Sequence, residues 1–280
     1  MRKRSDAMGL ENPIAPDVIV EAATVGGVKA EWTTTPNAEA ERVVLYFHGG
    51  GCVTGSLDSH RHAVAEMGRA ASARMLALDY RLAPENPFPA QVEDGVAAYR
   101  HLIDAGFRPK SLALAGDSAG GGLVVASLMA IRDAGLPLPA CGWVISPWID
   151  MESSGGSMIT KAAEDPIVQK PLSEFMARTY LQGVNPRNPL AAPIYGNLKG
   201  LPPLLVQVGA AETLLDDSIR LASVAGAAHV PVTLEIWPDM VHIWHVFFRH
   251  LTAGRKAIVQ GGAFIKTAMD GNHPISHGVG

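Results

Sequence analysis

The 280-residue sequence predicts an α/β fold: a mostly parallel sheet of eight strands flanked by helices. Three observations predict it. Apolar runs of strand length alternate with segments of helical spacing, glycine clusters follow two of those runs, and the alternation breaks only once, after Trp148. With 48% hydrophobic and 18% charged residues, the chain can bury one α/β domain with a modest insertion. It is too short for two full-sized catalytic domains.

The elements follow in order. Residues 18–25 and 28–34 are β-like runs separated by Gly26-Gly27, a strong hairpin signal, so both are expected as antiparallel edge strands. Residues 42–48 form an apolar run that ends in three glycines. Residues 75–79 read as a strand, 90–105 as a helix, 112–115 as a strand and 121–134 as a helix. Further buried strands fall at 144–145, 204–208 and 232–237, and a last helix at 243–267. Near-continuous apolar strands of this kind belong to a sheet covered on both faces. The stretch between Trp148 and Leu201 holds Gly155-Gly156, several prolines and one amphipathic segment, 172–181. It is too long for a simple connection and reads as a small helical cap. The expected organisation is a core of residues 18–148 and 201–268, a cap region of 1–17 and 149–200, and a loose tail of 269–280.

Composition excludes several classes. The formal net charge is −4 and the isoelectric point near 6.2, so no basic field exists to draw nucleic acid or an anionic membrane. Arg2-Lys3-Arg4 reads as a solvated tail. Two cysteines, Cys52 and Cys141, make a disulfide framework unexpected. Residues 5–16 lack the apolar run of a secretory leader, and no stretch is apolar for long enough to span a bilayer. The expected location is cytoplasmic.

The strongest chemical signal is Gly116-Asp117-Ser118-Ala119-Gly120, which fits G-x-S-x-G. It follows a strand and opens a helix, the context of a strained turn that lifts a serine hydroxyl above a sheet. Side chains in place of Gly116 or Gly120 would collide with neighbouring backbone. Ser118 is therefore the candidate nucleophile. The second signal is His48-Gly49-Gly50-Gly51 after the 42–48 strand, whose uncovered N–H groups can approach a developing oxyanion. A phosphate loop is disfavoured because no Gly-Lys-Ser/Thr follows. The ring of His48 is expected to brace this loop.

In an order of nucleophile, acid and histidine, the base belongs to the loop after the last strand, and His242 lies there. His245 and His250 fall in the expected last helix and read as surface or packing. A His242-x-x-His245 metal pair lacks a third ligand nearby. His60 and His62 read as surface or pocket rim, and His101, His229, His273 and His277 lie away from the motifs. For the acid, Glu212 is within a few residues of the 204–208 strand. Asp216 and Asp217 stand where a helix starts, and a helix N-terminus accounts for them. Trp148 either walls the substrate pocket or is a buried structural tryptophan. Cys52, beside the glycines, reads as pocket lining.

His48-Gly-Gly-Gly51, Gly116-Asp-Ser-Ala-Gly-Gly121 and Asp79-Tyr-Arg-Leu-Ala-Pro-Glu85 followed by Phe88-Pro-Ala90 stand in this order. By these segments the chain resembles the bacterial hormone-sensitive-lipase family of carboxylesterases over nearly its whole length. The resemblance implies the α/β-hydrolase fold, a cap over the site and hydrolysis of short-chain esters. It places the oxyanion hole at the N–H groups of Gly50, Gly51 and Ala119. Two departures stand out. The family acid is usually an aspartate in Asp-Pro-Leu-x-Asp-Glu, where this chain reads Gly209-Ala-Ala-Glu212-Thr-Leu-Leu-Asp216-Asp217. Only about 17 residues precede the first strand, where the family places one or two cap helices, so the cap is expected to be reduced or the chain truncated.

The expected mechanism is attack of Ser118 on an ester carbonyl, with His242 taking its proton and Glu212 orienting the imidazole. The expected partner is a small-molecule ester, with no cofactor, metal, nucleic acid or membrane. The family often forms homodimers, and no residue here decides that. An amidase or aryl formamidase using the same triad remains open, as does a non-catalytic receptor on this fold, although a receptor would not need both Ser118 and His242.

Overall fold

The computed structural model describes residues 1–271. Gly26 and Gly27 both take positive φ, 58° and 82°, the backbone of a tight turn whose twist matches a hairpin. They join Ile19–Val25 (β1) to Val28–Thr34 (β2), paired antiparallel with Ile19 opposite Thr34. The remaining strands are Glu39–Phe47 (β3), Ala73–Leu78 (β4), Leu112–Asp117 (β5), Cys141–Ile145 (β6), Leu204–Gly209 (β7) and Val232–Trp237 (β8). The sheet order is β1-β2-β4-β3-β5-β6-β7-β8, and every pair from β4 to β8 is parallel. Only β1 of the hairpin is an edge strand, because β2 also pairs antiparallel with β4.

The strands read as unbroken apolar runs because both faces are buried. In β3, Val43, Leu45 and Phe47 enter one core while Val44 and Tyr46 enter the other, as the two-residue period of a strand requires. The helices are Arg2–Leu10 (α1), Leu57–Ala71 (α2), Ala90–Asp104 (α3), Ala119–Asp133 (α4), Ser157–Thr160 (α5), Lys170–Leu181 (α6), Leu215–Ala227 (α7) and Thr252–Met269 (α8). Val64, Met67, Ile258 and Ile265 of α2 and α8 cover Tyr46 and Trp143 on one face. Leu102, Leu123 and Leu221 of α3, α4 and α7 cover Leu45, Leu114 and Val206 on the other. Within 149–200, Met158, Ala177, Tyr180 and Leu181 join this second core.

Two further expectations change. Arg2 is no solvated tail residue: it begins α1, donates to the Val53 carbonyl and pairs with Glu85 at 2.6 Å. The helix expected over 243–267 is broken. Ile243 sits at φ 47°, Trp244–Phe247 form one 3₁₀ turn, and α8 begins only at Thr252. The break turns His245 into the core, where its Nε2 lies 2.9 Å from Gln207 Oε1 and burial lowers its pKa to about 3. His250 lies before α8 and is exposed. Of the expected tail, 272–280, with His273 and His277, lies outside the described residues. Among the described residues no helix is long and apolar enough to cross a membrane.

Candidate active site

The loops that carry the candidate residues leave the carboxyl ends of parallel strands, so they converge on one side of the sheet. Between β5 and α4 the chain turns within one residue, with Ser118 at φ 55°, ψ −121°. A Cβ on Gly120 would come within 2.0 Å of the Phe47 carbonyl oxygen, and one on Gly116 within 2.5 Å of that of Gly120. Backbone therefore packs on backbone here, and only glycine fits. The Ser118 N–H donates to the Ile145 carbonyl at 2.8 Å, while its own carbonyl accepts from Gly122 and Trp148. The strained turn is held from both ends.

After β3, Gly50 takes φ 115°, and its carbonyl accepts the N–H groups of Val53 and Thr54. Among the described residues, the N–H groups of Gly50, Gly51 and Ala119 have no acceptor. Ala119 is the first residue of α4, where the helix dipole favours negative charge. The His48 ring stacks on Tyr80 at 4.3 Å and donates from Nδ1 to the Gly49 carbonyl at 2.8 Å. Burial lowers its pKa to about 4, so it is a neutral brace. Asp117 Oδ1 accepts from the Gly49 N–H and the Tyr46 hydroxyl, tying this loop to the turn at Ser118.

Glu212 follows β7 and is fully buried. Its Oε1 accepts from the Gly209 N–H at 2.6 Å and the Ser146 hydroxyl at 2.8 Å. Its Oε2 accepts from His242 Nδ1 at 2.7 Å. A carboxylate accepts only, so Nδ1 carries a proton, and in the neutral ring Nε2 is the nitrogen that presents its lone pair. Burial pulls the His242 pKa down, but the hydrogen bond and charge of Glu212 outweigh it and leave it above histidine's ordinary value. Asp216 and Asp217 are occupied elsewhere. Asp216 accepts the Ser157 N–H, while Asp217 accepts the N–H groups of Ile149 and Asp150 and pairs with Arg220.

Residues 44–246 match the family model described as alpha/beta hydrolase fold. An acetyl-hydrolase of Streptomyces hygroscopicus is 50% identical over 248 residues, which is 89% of this chain and 83% of that protein. The crystal structure of an esterase from the bacterial hormone-sensitive lipase family superposes with a TM-score of 0.95 at 51% identity. The match covers 96% of this chain and 90% of that one. The chain belongs to the bacterial hormone-sensitive-lipase family. A hormone-sensitive-lipase homologue from a metagenome library gives a TM-score of 0.93 at 39% identity, covering 96% and 92% of the two chains. This family member is a carboxylesterase of the α/β-hydrolase fold.

In this hormone-sensitive-lipase family member, Ser118, His242, Gly49, Gly50 and Gly51 line one cavity of about 220 Å³. No hydrogen bond joins Ser118 Oγ to His242 Nε2, a contact that commonly tightens only with substrate bound. Trp148 is both things the sequence left open, a cavity wall and a side chain only 4% exposed. Cys52 is not on this cavity. At φ 59° it turns inward behind Trp148 and against Tyr180, where burial pushes its thiol up to about 12. His60 and His62 are buried rather than superficial, and His60 lines the cavity. Sequence reasoning missed Ser146. Its Oγ donates to Glu212 and accepts the Ile243 N–H at 3.2 Å, joining the acid to the histidine loop. Its position just past the end of β6 was the available signal.

Proposed function

We propose that Ser118, His242 and Glu212 are the triad of this carboxylesterase, with Gly50, Gly51 and Ala119 as its oxyanion donors. The observation that carries this is the Glu212–His242 pair, which holds a proton on Nδ1 and so leaves the lone pair of the neutral ring on Nε2, at the cavity that holds Ser118. Ser118 attacks the ester carbonyl as His242 takes its proton. The oxyanion is held by N–H groups, and the returned proton releases the alcohol. Water, deprotonated by the same imidazole, then cleaves the acyl-enzyme. The segments 1–17 and 149–200 form the cap, since Ser5 of α1 and Leu172 and Met176 of α6 wall the cavity opposite the sheet. A serine-directed organophosphate should label one residue per chain, Ser118; labelling elsewhere, or none, overturns the assignment.

Two further outcomes are expected. The pH profile of kcat/KM should fall on acidification, because protonated His242 cannot accept a proton. Glu212 raises the His242 pKa, so the midpoint should lie above histidine's usual value of about 6.5. A profile flat down to about pH 5 in folded protein would remove histidine as the base. The second concerns size. The family resemblance suggests acyl chains of roughly two to eight carbons, and a cavity of about 220 Å³ beneath the cap is in keeping with a limited pocket. A panel of chromogenic esters checks this, and faster turnover of emulsified long-chain triglyceride would refute it.

A further inference from the structure

Asp117 stands beside Ser118, and the triad gives it no chemical task. Its side chain is 2% exposed. Oδ1 accepts from the Tyr46 hydroxyl at 2.6 Å and the Gly49 N–H at 3.0 Å, and Oδ2 lies 3.3 Å from His60 Nε2. Such a carboxylate is a hazard for acyl transfer. The tetrahedral intermediate places a negative charge over the neighbouring glycine loop, and like charges in a site that excludes water repel strongly.

His60 supplies the opposite charge. The Ser56 carbonyl, which can only accept, takes a hydrogen bond from the His60 ring, and Nδ1, 2.7 Å from Ser59 Oγ, is the nitrogen on that side. Nε2 faces the carboxylate and donates as well. A ring with two donors is an imidazolium. Burial lowers the His60 pKa and the charge of Asp117 outweighs it; burial likewise raises Asp117, and His60 holds it at about 2. The other ionisable rings around His60 are His48 and Tyr46, with centroids 5.6 and 6.5 Å away, and His62, whose pKa burial lowers to about 4. His48 is neutral, and the Tyr46 hydroxyl is held on Asp117.

We infer that His60 is a positioning residue that acts through Asp117. Paired with it, Asp117 ties the oxyanion loop to Ser118 without opposing the charge that develops there. The inference rests on Ser118 being the nucleophile, which organophosphate labelling tests independently of His60.

The test is steady-state ester hydrolysis together with inhibition by a boronic acid, which adds to a serine hydroxyl as an anionic tetrahedral adduct. His60→Gln keeps an N–H for Asp117 and removes the charge. Its kcat should fall by about 10- to 100-fold, the factor one uncompensated charge several ångström away carries at an effective dielectric of about 20. KM should stay within about twofold, and boronate affinity should fall with kcat. His60→Gln combined with Asp117→Asn removes both charges and should regain activity over His60→Gln alone. A purely structural role predicts no such recovery. An unchanged kcat, a loss carried by KM, or a double variant no better than the single would overturn the inference. Should His60→Gln fail to fold, Asp117→Asn alone decides: without the carboxylate, burial holds the His60 ring neutral and no anion stands beside the site. Boronate affinity within about tenfold of wild type supports the inference, and a larger loss overturns it.

Discussion

Ser118→Ala is expected to abolish ester hydrolysis and leave the fold intact. In the proposed mechanism this hydroxyl is the atom that bonds to the acyl carbon. Cys52 faces away with its thiol pushed up to about 12, so no second nucleophile stands ready. Where a triad acts as a unit, loss of its nucleophile costs on the order of 10⁶ in turnover. The structure should not suffer. The turn is held by backbone hydrogen bonds to Ile145, Gly122 and Trp148, all kept by alanine. Alanine takes the positive φ no less readily than serine, and the lost oxygen faces the cavity. Turnover and melting temperature, measured on the same preparation, check both halves. Near-normal activity in folded Ser118→Ala would overturn the central assignment.

Glu212→Gln should be the next most damaging change, and its geometry says why. The Gly209 N–H can only donate, so the glutamine oxygen must take the place of Oε1, where it keeps Gly209 and Ser146. The amide nitrogen is then forced to the place of Oε2, facing His242 Nδ1. Two donors cannot meet there, so the ring shifts to the tautomer with its proton on Nε2. In that form it cannot accept the proton of Ser118. The equivalent amide exchange in a buried triad costs on the order of 10⁴ in turnover, with little change in melting temperature. Asp216→Asn and Asp217→Asn should keep turnover within about tenfold of wild type. Asp217→Asn should instead lower stability, because it leaves Arg220 without one of its two carboxylates. If Asp216→Asn is the inactive variant and Glu212→Gln remains active, the acid has been misassigned, while Ser118 and His242 stand.

The regular elements were legible because their signals are local. A strand buried on both faces is an unbroken apolar run, as in β3, β5 and β7, and Gly26-Gly27 announces its hairpin. The glycines around Ser118 and after His48 were legible for the same reason: a turn within one or two residues excludes side chains wherever it occurs. The helix expected over 243–267 failed because its apolar spacing continues through Ile243 and Trp244. The break depends on His245 finding Gln207 and Trp143 across the sheet.

Position along the chain also ranked Glu212 ahead of Asp216 and Asp217 before any contact was known. What decides each carboxylate's role was not readable, because the deciding partner lies 30 to 68 residues away: His242 for Glu212, Ile149 for Asp217. The same holds for Ser146, 66 residues from Glu212, and for His60, 57 from Asp117. By itself the sequence determined the sheet, the turn that presents Ser118, the glycine loop opposite it and the loop that carries His242. These follow from backbone sterics and apolar burial, which act between near neighbours. Only the tertiary structure decided which polar groups meet, which way Cys52 and His245 turn, and which histidines are charged. Hydrogen bonds and ion pairs act through space over a few ångström, and spacing along a chain does not encode them.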